Sequence, residues 1–171
     1  MATRIVDYLL DTNSLIDAHT KWYQPQVLPS VWRRLATDEA VGMTSLVYAE
    51  LQYPDTLVNW AWTAFSSDLL EPTEEVILAY SQVMSWVTTA TRWNTAGIAQ
   101  WQNPDKADPW LIATAMVNHQ AIVTLDGNGR AFMPDKHAFS KQEPKISAVA
   151  ELFGVATLTI YELLDKLRLS L

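Results

Sequence analysis

Cysteine is absent from the 171-residue chain, which excludes disulfides and thiolate chemistry and fits a reducing cytosol. Glycine is scarce, at five residues, and with 49% apolar and 18% charged residues the composition is that of an ordinary globular protein, not a disordered one. Long apolar runs are missing too. The first ten residues include Arg4 and Asp7 and carry no small-residue cleavage site, so neither a signal peptide nor a membrane span is expected, and a soluble, cytoplasmic protein is. Basic residues are outnumbered: the net charge is −7 and the pI near 4.8. That balance argues against a general nucleic-acid-coating protein, whose affinity comes from Lys and Arg neutralising phosphates. It leaves open a pocket where acids converge on a divalent ion that then attracts phosphate. The three histidines, His19, His119 and His137, have no paired spacing for zinc.

What is present is an alternation of short apolar runs with amphipathic stretches, in a length that suits one domain over 1–171. Strands are expected at 5–10, 41–43, 121–125 and 155–158. Helices are expected at about 13–18, from 30, from 45 to 51, over 55–65, from 74 to about 93, from 109, over 146–153 and after Thr159, with a weaker one near 95–101. Thr44 or Ser45, Thr73, and Thr159 with Glu162 read as helix starts, and Gly154 as a helix end. Residues 19–28 read as an aromatic loop, and 130–145 as an exposed, partly basic one. Strands alternating with helices imply an α/β fold: three layers, α/β/α, around a small parallel sheet of four to five strands.

The stretch Leu9-Leu10-Asp11-Thr12-Asn13-Ser14 is a strand that stops at an acid, followed by a polar turn and a helix. In open α/β sheets ligands bind outside the carboxyl ends of the strands. Asp11 is either a turn residue capping the next helix or one corner of a site. Glu50, four residues after Leu46 and three after Val47, shares their apolar helix face, where an acid needs a partner. Asp108, before Pro109, is a good helix cap yet stands three and four residues ahead of Leu111 and Ile112. Asp126 ends the strand at 121–125 as Asp11 ends the first, and neighbouring parallel strands would put both on one rim. Four acids of this kind make an oxygen-only site suited to Mg2+ or Mn2+.

In order and spacing, Leu10-Asp11-Thr12-Asn13, Thr44 to Glu50-Leu51, Ala107-Asp108 with Ile112-Ala113-Thr114-Ala115, and Thr124-Leu125-Asp126 resemble the PIN-domain nucleases. The fuller strings, including the Trp22-Tyr23 loop and Lys106-Ala107-Asp108-Pro109-Trp110, look like a toxin-like subgroup of that family. The turn after Asp126 departs from the acidic continuation many members have, and Asn128 is the alternative there. The resemblance implies Mg2+- or Mn2+-dependent endonucleolytic hydrolysis of RNA to 5′-phosphate and 3′-hydroxyl ends, with Asp11, Glu50, Asp108 and Asp126 holding metal. It implies that Thr12, Asn13, Ser14 and Thr124 steady those carboxylates, and that a cognate antitoxin and a homodimer are the partners to look for. Lys106 would meet a substrate phosphate or lie in solvent. Trp22 and Tyr23 are the candidates for stacking on a base, whereas Trp32, Trp60 and Trp86 read as core. A phosphatase that forms an aspartyl phosphate would need a second Asp where Asn13 stands, and an inactive scaffold that binds RNA or a protein is the other alternative.

Overall fold

A computed structural model describes residues 5–125 and 132–169. Four short strands, β1 (Tyr8–Leu10), β2 (Val41–Gly42), β3 (Ala121–Val123) and β4 (Thr157–Leu158), form one sheet in the order β2-β1-β3-β4. Every pairing is parallel. Leu9, Leu10, Val41, Ile122 and Val123 are fully buried, as expected of strands covered on both faces. The expected α/β class with a small parallel sheet therefore holds. The strands are shorter than the apolar runs that announce them: Ile5, expected in the first strand, precedes β1 and is largely exposed.

The helices are α1 (Thr12–Asp17), α2 (Pro29–Thr37), α3 (Ser45–Glu50), α4 (Asp55–Phe65), α5 (Glu74–Thr89), α6 (Thr95–Ile98), α7 (Ala107–Asn118), α8 (Ile146–Leu152) and α9 (Ile160–Lys166). Their starts follow local chemistry. The Thr44 hydroxyl accepts from the Val47 amide at 3.2 Å and Thr73 from Val76 at 3.4 Å, each satisfying a helix-start N–H that has no partner within its helix. Thr159 and Glu162 form a reciprocal capping box. Gly154 takes φ +69° just beyond α8, a conformation that favours glycine.

Helix α7 is the pillar of the fold. It packs on α5, α3, α8 and β3, and Leu111, Ile112 and Ala113 are fully buried. Burying Leu111 or Ile112 contributes roughly 1.5–3 kcal/mol each. Against α5 the contact includes a face-to-face stack of Tyr80 on Trp110, centroids 3.8 Å apart. Pro109 is the third residue of α7, not the first, because the helix begins at Ala107. Proline is still tolerated there, since amides of the first turn have no partner inside the helix.

Between α1 and α2, the expected aromatic loop is partly a π-helical turn, Ala18–Trp22. Its wide turn sends Trp22 outward and Tyr23 inward, at 41% and 8% exposure. Trp32 is buried, donates from its indole N–H to the Tyr23 carbonyl, and meets Trp60 edge-on at 4.8 Å.

Between α7 and α8, the chain from Phe132 onward is not simply a solvated loop. Trp93 bridges to Ser140 in parallel fashion, the Asn94 amide donates to the Ser140 carbonyl at 3.0 Å, and the Ser140 amide donates to Arg92 at 2.9 Å. Gly97 lies beneath this segment. A Cβ there would collide with the carbonyl oxygens of Ser140 and Gln142, so a glycine permits the close approach.

Candidate active site

The strand order reverses direction between β1 and β3, the topological switch point where α/β sheets open a crevice. Register places Leu10 beside Val123, and the Asp11 amide continues the ladder by donating to the Val123 carbonyl at 3.0 Å. Asp11 and Thr124 thus leave the sheet side by side. The Thr124 hydroxyl donates to Asp11 Oδ2 at 3.2 Å. Asp11 occupies the N-cap position of α1 but makes no capping bond with its side chain. It is 2% exposed.

Glu50 closes α3 and is half-buried. The Thr12 hydroxyl donates to its Oε2 at 2.8 Å, tying the start of α1 to the end of α3. Asp108 lies inside the first turn of α7, where Lys106 holds the N-cap position, and is 8% exposed. Helix capping therefore explains neither Asp11 nor Asp108.

Lys106 stands among the acids rather than in solvent. Its ammonium is 3.4 Å from Asp108 Oδ2, 3.7 Å from Glu50 Oε1 and 3.9 Å from Glu143 Oε2, with the side chain 17% exposed. Glu143 joins them, an acid that no periodicity in the sequence announces. Its Oε1 is 4.0 Å from Lys145, while its Oε2 is buried without a hydrogen-bond partner. The one local sign was Glu143-Pro144 just ahead of α8, an acid followed by a buried proline.

The charges are strongly perturbed. Asp11 is pushed up to about 8, first by burial, then by repulsion from Asp108 and Glu50. The Thr124 hydroxyl and Thr12 amide pull the other way and lose. Burial likewise lifts Asp108, to about 6, against the pull of Lys106 and with the push of Glu50 and Glu143. Asp11 and Asp108 repel one another, so their titrations are coupled and belong to the pair. Burial alone would lower the Lys106 pKa, but Asp108, Glu143 and Glu50 together outweigh it and hold it above the usual lysine value.

Other expected site residues fall elsewhere. Asn13 is exposed on α1, and the Ser14 hydroxyl is buried with no hydrogen-bond partner, so Thr12 and Thr124 are the two side chains seen bracing the acids. Tyr23 is buried, with its ring against Tyr161, which removes it from stacking on a base. Trp22 also packs on Tyr161, at 5.7 Å, but keeps an open face. Asp126 and Asn128 lie outside the described residues. A cleft of about 620 Å³ opens beside Glu50 and Lys106, lined further by Gln52, Gln100, Asn103 and Asp105.

The donor set is all oxygen, which suits a hard divalent cation. As they stand, no three His, Asp or Glu side chains among the described residues are arranged to hold a metal ion. Asp108, Glu50 and Glu143 surround the Lys106 ammonium.

Fold and site define an α/β protein with an acid-lined crevice at the carboxyl rim of its parallel sheet. The chain belongs to the family described as a domain of unknown function, DUF4411, which it matches over residues 8–171. No curated protein matches it. Among the described residues no helix is long and apolar enough to cross a membrane.

Proposed function

We propose that this protein is a Mg2+- or Mn2+-dependent endoribonuclease, with Asp11, Glu50 and Asp108 as the metal-holding acids. One observation carries the reading: Asp11 is buried beside two further acids at a strand end, with its pKa near 8. That arrangement costs stability and fulfils no capping role, so it makes sense when a cation offsets it. Asp126, or Asn128 in its place, is the further candidate from the rim of β3. A bound divalent ion would supply an activated water and stabilise charge on the departing 3′-oxygen, leaving a 5′-phosphate.

The chain's own groups supply position. Thr124 and Thr12 fix the carboxylates of Asp11 and Glu50, and ligand orientation of this kind typically matters 10–100-fold to metal affinity or activity. In this reading the RNA strand lies in the cleft lined by Gln52, Gln100 and Asn103, beside the acids, and Trp22 offers a face to a base. In this reading the protein is the cytoplasmic toxin of a toxin–antitoxin pair, met by a cognate antitoxin, and a homodimer is its expected assembly. Asp11→Asn and Asp108→Asn each abolish Mn2+-dependent cleavage of RNA with the fold retained. Full activity in either variant overturns the assignment.

A phosphotransferase with Asp11 as nucleophile is disfavoured, because Asn13 stands where that chemistry needs a second aspartate. An inactive scaffold is the second reading, favoured by the Lys106 ammonium among the acids. It predicts that calorimetry finds no Mn2+ binding dependent on Asp11 and Glu50.

A further inference from the structure

Lys106 meets three carboxylates drawn from α3, α7 and the segment ahead of α8. Surface lysines normally keep their ammonium in water, since its desolvation is costly. Here 17% of the side chain remains exposed, and the backbone ahead of it is tied down, the Lys106 amide donating to Asn103 at 3.0 Å. The ammonium–oxygen distances of 3.4–3.9 Å are those of ion pairs. Mg2+ requires oxygens at roughly 2.0–2.1 Å, so Glu50 and Asp108, the two of these acids in the proposed metal set, would have to draw in by more than about an ångström around an ion in that place. An ammonium standing among them blocks that closure.

We infer that Lys106 is the built-in occupant of the acid pocket, an internal cation that a divalent ion must displace in order to bind, so that Lys106 sets the metal affinity of the site. This rests on the metal-dependent reading above. The exit is already present: Lys106 lines the same open cleft as Gln100, Asn103 and Asp105, and a four-carbon stem can swing its head there without moving α7. Displacement exchanges one positive charge for two at the acids and delivers the ammonium to the cleft wall, where a phosphate of the bound strand would meet it.

The test compares Mn2+ binding by calorimetry in the wild-type protein, Lys106→Met and Asp11→Asn. Lys106→Met, which keeps length and removes charge, is expected to bind Mn2+ at least tenfold more tightly than wild type, while Asp11→Asn loses binding. Equal or weaker binding by Lys106→Met, with Asp11-dependent binding intact in the wild type, overturns the inference and leaves the metal-dependent reading standing. Binding in neither the wild type nor Lys106→Met overturns that reading and the inference with it. Should Lys106→Met fail to fold, the wild-type chain answers alone through acylation by an N-hydroxysuccinimide ester, read by peptide mass spectrometry. Saturating Mg2+ is expected to raise labelling of Lys106 several-fold while exposed Lys21 stays unchanged. Labelling of Lys106 that ignores Mg2+ overturns the inference.

Discussion

Replacing Asp11 by asparagine keeps the side chain's size and its ability to accept from Thr124, while deleting the charge that the pocket resists. The carboxyl titrates near 8 when folded against an ordinary value of 3.8. Below pH 3.8 it is protonated in folded and unfolded chains alike, and folding is indifferent to it. As pH rises, the unfolded chain releases the proton while the folded one holds it, so stability falls with pH until about 8 and is level thereafter. At roughly 1.4 kcal/mol for each pH unit, the penalty reaches about 4 kcal/mol at pH 7. An asparagine amide left poorly paired in the same place returns about 1–3 kcal/mol of that. In metal-free buffer, Asp11→Asn is therefore expected to be the more stable protein at pH 7 by about 2 kcal/mol, a rise in Tm of about 4–8 °C. Thermal melts of both proteins from pH 4 to 9 in the presence of a chelator measure it. The gap should open between pH 4 and 8 and then stop growing. A gap that is flat across this range, or a variant less stable at every pH, refutes the claim that Asp11 is a buried, repelled acid.

Thr12→Val removes the 2.8 Å bond to Glu50 at a stability cost of about 1 kcal/mol, with RNA cleavage expected to drop at least tenfold in kcat. Urea melts and single-turnover assays separate the two effects. Gly97→Ala forces a methyl group against the carbonyls of Ser140 and Gln142. It is expected to destabilise the fold by about 1–3 kcal/mol, and hydrogen exchange should show the loss concentrated at the Asn94 and Ser140 amides.

Three acids of the site were legible in sequence because local structure alone places them. Asp11 ends an apolar strand, Glu50 lies on the buried stripe of a helix, and Asp108 stands three and four residues ahead of the buried Leu111 and Ile112. Their surroundings were not legible. Glu143 reaches the site only because the chain near Ser140 docks on Arg92 and Asn94, a tertiary contact with no periodic signature. Lys106 reads as a solvated turn lysine until α3 and the Glu143 segment are folded around it. Tyr23 and Trp22 are neighbours in a stretch that reads as loop, and only the π-helical turn separates their fates. Asp108 suggested a cap because Asp-Pro so often opens a helix, but the turn at Lys106 starts the helix earlier. The strands are shorter than their apolar runs because apolar residues continue beyond the few positions that the hydrogen-bond ladder uses.

The placement of α7 at the centre of the molecule has one more effect. Asp108 is mounted on a helix clamped by α5, α3, α8 and β3, and Asp11 hangs directly from the sheet, so these two carboxyls form a fixed jaw. Glu50, Lys106 and Glu143 sit at a helix end, a helix start and a docked segment, each partly open to water, and form the accessible jaw. Any guest that enters the crevice meets the accessible side first and must then fit the buried one.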